Sequence, residues 1–317
     1  MVRLGPSDLE VFPLCLGGNV FGWTADERQS FAVLDAYAQA GGNFIDSADS
    51  YSAFAPGNVG GESEAMLGKW VVARGNRDSV VLATKVGRKP DRKGLSRANI
   101  LVAVEESLAR LQTDYIDLYY AHADDPDTPL EETLRTFDEL IRDGKVRYVA
   151  ASNYSAERLD QALETSDSKS LARYIAVQPH YSLVERDHYE GALAELCERQ
   201  GLSCVPYWAL ARGFLTGKYR PGATVDSPRA GQASQYLDDH GIRVLEALDR
   251  VAAAHDSTVA AVALAWVAAQ PGVAAPIASA RNPEQLAEIL PAAGLELNPD
   301  ELRELSGASA QSPAATS

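Results

Sequence analysis

The sequence predicts an α/β fold, a (β/α)8 TIM barrel, from three observations. Short runs of β-branched and aromatic residues recur eight times along the chain. Each run is followed by turn residues and then by apolar positions at helical spacing, and this alternation implies a parallel sheet that eight units can close into a barrel. The first run is followed by Gly17-Gly18-Asn19-Val20 and not by G-x-G-x-x-G, which argues against an open dinucleotide-binding sheet.

The predicted elements alternate in chain order. Residues 1–13 are expected to form a short hairpin around Gly5-Pro6-Ser7-Asp8 that covers the lower mouth of the barrel. Gly41, Gly144 and Gly201 each follow a predicted helix at the position that takes a left-handed residue. The predicted strands are Leu14–Gly18, Asn43–Ala48, Val80–Lys85, Ile116–His122, Val146–Ser152, Tyr174–His180, Leu202–Trp208 and Ala274–Ser279. The predicted helices are Glu27–Ala40, Glu62–Ala73, Arg97–Leu111, Leu130–Asp143, Ala156–Leu163, His188–Gln200, Gly241–Ala254 and Val259–Gln270.

Two segments lack a regular pattern. The long connection Arg212–Asp238, which follows the seventh strand, is rich in glycine and proline, and we expect it to form an irregular lid over the upper face of the barrel. The tail Ser306–Ser317 is rich in Ser and Ala and is expected to be disordered. The chain is therefore predicted to form one barrel domain over residues 1–305.

The charge balance restricts the possible partners. There are 29 Lys and Arg against 44 Asp and Glu, a net charge of −15, which disfavours binding to nucleic acid or an anionic membrane. No run of about 18 apolar residues and no secretory signal is present, so we expect a cytoplasmic protein with a small-molecule substrate. Cys15, Cys197 and Cys204 have spacings that suit neither a disulfide framework nor zinc, so buried free thiols and no metal site are expected. The oligomeric state stays open.

Reactive side chains occur at or just after the ends of successive predicted strands. Asp46 ends the second strand, Tyr51 follows five residues later, Lys85 ends the third strand and His122 ends the fourth. Catalytic residues of a barrel lie at these strand ends. Each residue alone has a structural explanation, such as a turn cap or a half-buried aromatic side chain. The coincidence of all four favours a catalytic set.

The chemistry of the four residues is mutually consistent. A phenol has a reference pKa near 10, and an ammonium beside it, here Lys85 beside Tyr51, is expected to lower that pKa by favouring the phenolate. Asp46 is a suitable partner for a lysine in a partly dry pocket. His122 can donate to or orient a substrate carbonyl beside the phenol. Such a set protonates an oxygen but has no source of electrons, so a hydride donor must bind nearby.

The later strand ends suggest how that donor is held. Ser152, Asn153 and Gln178 carry side chains that can fix a carboxamide, and Tyr207 offers a flat face on which a nicotinamide ring can stack. Trp23, Phe54, Trp208 and Tyr236 are candidates to line an apolar substrate pocket, although Trp23 and Trp208 are equally suited to packing.

At these residues the sequence closely resembles the aldo-keto reductases. The resemblance extends from the first strand to Gln285-Leu286. Its most specific parts are Gly42-Asn43-Phe44-Ile45-Asp46-Ser47-Ala48-Asp49-Ser50-Tyr51, Ala83-Thr84-Lys85, Asp117-Leu118-Tyr119-Tyr120-Ala121-His122 and Leu215-Thr216-Gly217-Lys218-Tyr219. The resemblance implies a barrel without a Rossmann domain, in which NADPH transfers hydride to an aldehyde or ketone and the four residues above are catalytic.

The resemblance also implies a cofactor site. Lys218 and its loop would cover the pyrophosphate, and Arg281 is suited to a 2′-phosphate, which favours NADP(H) over NAD. The sequence departs from the family at Trp208-Ala209, where Ser-Pro is usual, and at Ile289, where Asn commonly contacts the adenine. The implied cofactor-binding residues are Gly18, Ser152, Asn153, Gln178, Tyr207, Leu210, Arg212, Lys218, Ser279, Arg281 and Gln285.

Two alternative functions stay open at this stage. In the first, the substrate is a sugar or a nucleotide-linked keto sugar, with Arg212 or Arg220 of the lid contacting a phosphate. In the second, the protein is a non-catalytic regulatory subunit that holds NADPH, because the family includes potassium-channel β subunits. The short segment before the first barrel strand offers no partner-binding extension and disfavours the second alternative.

Overall fold

Eight parallel strands form one sheet in a computed structural model that describes residues 1–310. Numbered in chain order, strands β1 to β8 are Cys15–Gly17, Phe44–Asp46, Val81–Val86, Ile116–Ala121, Val146–Ser152, Tyr174–Gln178, Ser203–Cys204 and Ile277–Ala278. They pair in the order β7-β6-β5-β4-β3-β2-β1-β8. Cys204 N of β7 donates to Gly272 O at 2.7 Å, in the segment that leads into β8, and Ile277 N of β8 donates to Pro206 O, just after β7, at 2.9 Å. The predicted (β/α)8 barrel is confirmed.

Helices on the outside of the sheet connect the strands. Several of these helices begin with a side-chain cap, such as Asp26 accepting from Gln29 N and Ser155 accepting from Arg158 N. In the part of the chain that the structure describes, the α-helices are Glu27–Gln39, Glu62–Arg74, Arg97–Leu111, Leu130–Arg142, Ala156–Lys169, Ala192–Gln200, Ala230–Ala233, Asp239–Ala254, Val259–Ala268, Pro283–Ile289 and Pro299–Ser309. Short 3-10 turns are Arg77–Ser79, Ala211–Thr216, Ser234–Tyr236 and Leu290–Ala293.

Some predicted boundaries were wrong, for local reasons. The helix expected at His188–Gln200 begins only at Ala192, because Gly191 has φ +83° and cannot belong to a right-handed helix. The helix expected at Ala156–Leu163 continues to Lys169, through two polar turns that carry few apolar residues. A hairpin of Arg88–Lys89 with Arg92–Lys93 was not predicted.

The predicted disordered tail is wrong for its first residues. Ser306 to Ser309 form the last turn of the helix Pro299–Ser309, which begins at an Asn298 capping box. Trp266 Nε1 donates to Ser306 Oγ at 3.0 Å, and Arg186 Nη1 donates to Ser309 Oγ at 2.8 Å. These contacts come from distant parts of the chain, so composition alone does not reveal them. Residues 311–317 of the predicted tail lie outside the described residues.

The predicted N-terminal hairpin is confirmed and lies at the lower end of the barrel. Val2–Arg3 pairs antiparallel with Glu10–Val11. Leu4, Leu9 and Val11 are buried in a cluster with residues of the barrel interior, including Phe44, Val81, Leu118, Ile175 and Val205. Burying each such side chain contributes about 1.5–3 kcal/mol. The hairpin therefore closes the end of the barrel opposite the predicted catalytic residues.

The connection after β7 is irregular, as predicted, except for the short helix Ala230–Ala233. Arg212 and Gly213 both have left-handed backbone (φ +59° and +99°), which bends the start of this segment sharply. Phe214, Leu215 and Tyr219 are buried and attach it to the barrel. We call residues 212–238 the lid. Over residues 1–310, no single helix is both long and apolar enough to cross a membrane; Asp239–Ala254 and Val259–Ala268 reach that length only as a pair bent by 98°.

Candidate active site

Asp46, Tyr51 and Lys85 meet at the upper end of the barrel. Lys85 Nζ donates to Asp46 Oδ2 at 2.5 Å and to Tyr51 Oη at 2.9 Å, and Tyr51 Oη donates to the same carboxylate oxygen at 3.0 Å. Lys85 also donates to Ser47 O at 2.7 Å. The Lys85 and Asp46 side chains are 0% and 1% exposed. Three of the four predicted catalytic residues therefore form one buried hydrogen-bonded cluster.

Neighbouring parallel strands produce this convergence. Asp46 is the last residue of β2 and pairs with Ala83 of β3, which places Lys85 two residues further along the same edge. The chain then turns, with Tyr51 N donating to Ala48 O at 3.1 Å and Asp49 N donating to Lys85 O at 3.2 Å. The phenol is thereby directed back towards the ammonium.

Burial controls the protonation of the cluster. Burial lowers the pKa of Lys85, and the neighbouring Asp46 carboxylate partly offsets this effect. Burial, followed by the negative charge of Asp46, raises the pKa of Tyr51 well above its usual value. The sequence predicts that Lys85 lowers the pKa of Tyr51, but in this structure burial and the charge of Asp46 outweigh any such effect. The net pKa of Tyr51 therefore rises, and the phenol stays protonated at neutral pH.

His122 lies beside the cluster and not within it. Its ring centroid is 6.2 Å from that of Tyr51, and its Nδ1 lies 3.4 Å from Ser50 Oγ. Burial, assisted by the positive charges of Lys85 and Arg88, lowers the pKa of His122 well below 6.5. The imidazole is consequently neutral at pH 7 and has one N–H to donate.

Four of the predicted cofactor-binding residues form a continuous polar edge next to the cluster. Gln178 Nε2 donates to Asp46 Oδ1 at 3.0 Å, and Ser152 Oγ donates to the Gln178 carbonyl at 2.9 Å. Asn153 Nδ2 donates to Ser152 Oγ at 2.9 Å, and Tyr207 Oη donates to Asn153 Oδ1 at 2.6 Å. Asn153 has φ +55°, which turns its amide inward at the end of β5. The four side chains thus hold one another in place.

A second group of predicted cofactor-binding residues lies at the ends of β1 and β8. A Cβ on Gly18 would stand 2.7 Å from Ser63 Oγ and 3.1 Å from the Asp46 carbonyl, so only glycine fits there. Ser279 Oγ donates to Asn19 Oδ1 at 2.8 Å, and Gln285 Oε1 accepts from Arg281 N at 3.0 Å. The side chain of Gln285 therefore fixes the backbone of Arg281, whose guanidinium makes no hydrogen bond or ion pair within residues 1–310.

The predicted residues after β7 bring positive charge to the site. The guanidinium carbon of Arg212 lies 3.7 Å from the centroid of the Trp208 ring, and Leu210 is partly buried and packs against the core. Partial burial and the positive charge of Arg281 lower the pKa of Lys218. Arg212, Lys218 and Arg281 thus concentrate positive charge on a chain of net charge −15.

Sequence reasoning missed Arg229, a lid residue that completes this positive group. Its guanidinium makes no hydrogen bond or ion pair with any other residue in 1–310, and it lies 5.4 Å from the centroid of the Trp23 ring. Burial, with Arg212 and Arg281 nearby, lowers its pKa although the phenol of Tyr51 opposes the shift. The concentration of basic residues in the lid was the available signal. An unpaired, half-buried guanidinium among other cations fits a polyanionic ligand such as a dinucleotide phosphate.

The predicted pocket residues lie in three different environments. Trp23 and Phe54 pack edge to face, with centroids 4.7 Å apart, and Phe54 is 61% exposed at the rim. Trp208 packs on Tyr207 at 5.2 Å. Tyr236 instead donates to Glu185 at 3.1 Å. The structure does not gather these aromatic side chains into a single cluster.

Comparison with known proteins agrees with this architecture. A family model described as aldo/keto reductase matches residues 13–310. The chain belongs to the aldo/keto reductase family. As a member of this family it is an oxidoreductase, and the resemblance derived from its sequence motifs is confirmed.

Relatives of this aldo/keto reductase have diverse names. Norsolorinic acid reductase of Aspergillus flavus is 32% identical, over 95% of this chain and 78% of that protein. Protein tas of Escherichia coli is 33% identical, over 96% of this chain and 95% of that protein. A probable voltage-gated potassium channel subunit beta of Arabidopsis thaliana is 32% identical, over 90% of this chain and 88% of that protein. The family thus includes both a named reductase and a named channel subunit.

Proposed function

We propose that this aldo/keto reductase reduces an aldehyde or ketone to an alcohol with NADPH, and that Tyr51 is the general acid. The observation that carries the proposal is the Tyr51 phenol between Lys85 and Asp46, 2.9 and 3.0 Å from its two partners. A buried cluster of this kind has little value for stability alone, because desolvation of the two charges offsets their attraction.

Each protein group has a defined task in the proposed reaction. NADPH, when bound, supplies the hydride to the carbonyl carbon. Tyr51 donates its proton to the carbonyl oxygen, which becomes strongly basic as negative charge develops on it. Lys85 stabilises the phenolate that results, and Asp46 balances the charge of Lys85. His122, neutral at pH 7, donates an N–H to the carbonyl oxygen and orients it towards Tyr51.

The cofactor contacts follow from the same geometry. Asn153 and Gln178 would hold the nicotinamide carboxamide, and the ring of Tyr207 would form the platform below the nicotinamide. Lys218 and Arg229 would contact the pyrophosphate. Arg281, whose side chain is available, would contact the 2′-phosphate, which supports NADP over NAD.

The side chains around the candidate active site favour one class of substrate, a small carbonyl compound with an aromatic or apolar part, over a nucleotide-linked keto sugar. Trp23 and Phe54 offer ring edges and faces beside the lid. Of the two lid arginines considered for a sugar phosphate, Arg220 is paired with Asp249 at 2.6 Å and Arg212 is stacked on Trp208. A cytoplasmic location is part of the proposal and is supported by the three cysteines, which are buried free thiols.

The test is a panel of carbonyl compounds assayed with NADPH and NADH in parallel, for the native chain and for Tyr51→Phe. The panel includes an aromatic aldehyde and a nucleotide-linked ketohexose. We expect turnover of the aldehyde with NADPH, and a loss of about 10²–10⁴-fold in kcat in the variant. Cofactor binding measured by NADPH fluorescence should persist in the variant. Equal turnover by both proteins would refute the role of Tyr51, and NADPH binding without turnover of any compound would favour the regulatory-subunit alternative.

A further inference from the structure

The loop after β6 brings together three side chains that the proposed reaction does not use. The metal-binding atoms of His180, Glu185 and His188 all lie within 4.8 Å of one another. A tight turn produces this arrangement, with Ser182 N donating to Glu185 O at 3.0 Å and Glu185 N donating to Ser182 O at 3.1 Å. The turn reverses the chain, so residues separated by several positions face each other.

The polar atoms of this cluster are incompletely satisfied. His180 Nε2 is inaccessible to solvent and makes no hydrogen bond to any residue in 1–310. Buried polar atoms nearly always have a partner, so this imidazole nitrogen remains free to bind one. The ring of His180 is held between His188 and Tyr207, at centroid distances of 5.4 and 5.5 Å. Tyr236 donates to Glu185 Oε1 at 3.1 Å and orients that carboxylate, as outer hydrogen bonds orient metal ligands.

We propose that His180, Glu185 and His188 form a binding site for a divalent transition-metal ion of the zinc type. Two imidazole nitrogens and one carboxylate oxygen suit zinc and its neighbours, whereas magnesium and calcium prefer oxygen ligands alone. Three protein ligands leave a fourth position for water. His188 is exposed and provides the route of entry. No metal site was expected from the sequence, because the turn at Ser182–Glu185, and not the sequence spacing, creates the cluster.

The position of the cluster connects it to the rest of the molecule. His180 stacks on Tyr207, whose hydroxyl donates to Asn153, and Glu185 contacts Tyr236 of the lid. A bound ion would therefore join the loop after β6 to the lid at the edge of the candidate active site. Its ligands are distinct from the Asp46, Lys85 and Tyr51 cluster, so metal binding can be measured independently of turnover.

The test is calorimetric titration of the whole metal-free protein with ZnCl2, alone and for three variants. We expect one equivalent of Zn²⁺ to bind, and His188→Ala and Glu185→Gln each to weaken binding by about tenfold or more. His255→Ala is the matched control, because His255 is also paired with a glutamate, Glu301, at 2.9 Å but has no third potential ligand within residues 1–310. Co²⁺ in place of Zn²⁺ should give visible absorption bands that disappear in His188→Ala.

Several results would overturn the proposal. One is the absence of saturable Zn²⁺ binding by the native protein. Another is unchanged binding in both His188→Ala and Glu185→Gln, and a third is an equal loss in His255→Ala. Thermal unfolding of each metal-free variant confirms that it is folded, and His188 is exposed, so its replacement should leave the melting temperature unchanged. If one variant fails to fold, the other still decides the question.

Discussion

Lys85 and Asp46 form an ion pair of 2.5 Å in which both side chains are excluded from solvent. Removing one partner of such a pair leaves an uncompensated buried charge, whereas removing both need not destabilise the fold. Single and double variants of this pair can therefore distinguish its contribution to stability from its contribution to the proposed proton transfer.

We expect Lys85→Met to destabilise the protein by about 3 kcal/mol and to abolish carbonyl reduction, because Asp46 loses its counter-charge. The double variant Asp46→Asn/Lys85→Met should regain most of the stability and none of the activity. Urea unfolding and NADPH-consumption assays measure the two properties. Lys69→Met is the control: Lys69 pairs with Glu27 at 2.6 Å, but both side chains are more than half exposed, so a change below about 1 kcal/mol is expected. A double variant as unstable as the single variant would contradict this account.

Asp49 should make stability depend on pH. Both of its carboxylate oxygens are buried and have no hydrogen-bond partner among residues 1–310, and burial, followed by the charge of Glu64, raises its pKa to about 7. The folded protein thus holds this proton more tightly than the unfolded chain, so the contribution of Asp49 to stability is lost as the pH rises from about 4 through 7. Asp49→Asn should therefore become more stable relative to the native chain by roughly 1–3 kcal/mol between pH 5 and pH 8. Urea unfolding at both pH values tests this, and a difference that does not change with pH would refute it.

Arg229 should contribute to cofactor affinity and not to the stability of the free protein. Its guanidinium is unpaired in the described part of the chain and lies among other cations, so Arg229→Met should leave the melting temperature of the free protein unchanged or higher. NADPH affinity should fall about 10- to 100-fold through the loss of charged hydrogen bonds. Fluorescence titration gives the affinity. Arg220→Met, which removes a lid arginine already paired with Asp249, should change the affinity little. Similar losses of NADPH affinity in Arg229→Met and Arg220→Met would indicate that the total positive charge of the lid, and not the position of Arg229, determines the affinity.

Arg281 should set the preference between NADPH and NADH. Its backbone N–H is held by Gln285, so replacement of the side chain preserves the loop. We expect Arg281→Met to raise the KM for NADPH about tenfold or more while the KM for NADH changes little, because only NADPH carries the 2′-phosphate. Steady-state kinetics with each cofactor measure both values. If the KM values for NADPH and NADH rose equally, Arg281 would contact a part of the dinucleotide that both cofactors share and not the 2′-phosphate.

Much of the fold was accessible from the sequence because its determinants are local. Strand β5 and the helix Arg97–Leu111 have the predicted bounds. Both elements are predicted from short stretches of sequence, by a run of β-branched residues in the strand and by apolar residues at helical spacing in the helix. The shortest strands, β7 and β8, were predicted too long. Pro206 lies just after β7 and Pro276 lies directly before β8, and a proline has no N–H to donate to a neighbouring strand. The extra helix turn at Ser306–Ser309 was missed because Trp266 and Arg186, far away in sequence, stabilise it.

The sequence by itself determined which reactive residues are present and at which end of the barrel they lie. In a parallel barrel all strand ends of one kind meet at one face, so Asp46, Tyr51, Lys85 and His122 were placed together by topology alone. Only the tertiary structure decided how they interact: that one carboxylate oxygen of Asp46 accepts from both Lys85 and Tyr51, and that His122 stands beside this cluster. It also decided that the pKa of Tyr51 rises and does not fall. The physical reason is that burial and distance depend on every element packed around a group, whereas residue type and spacing depend on the chain alone.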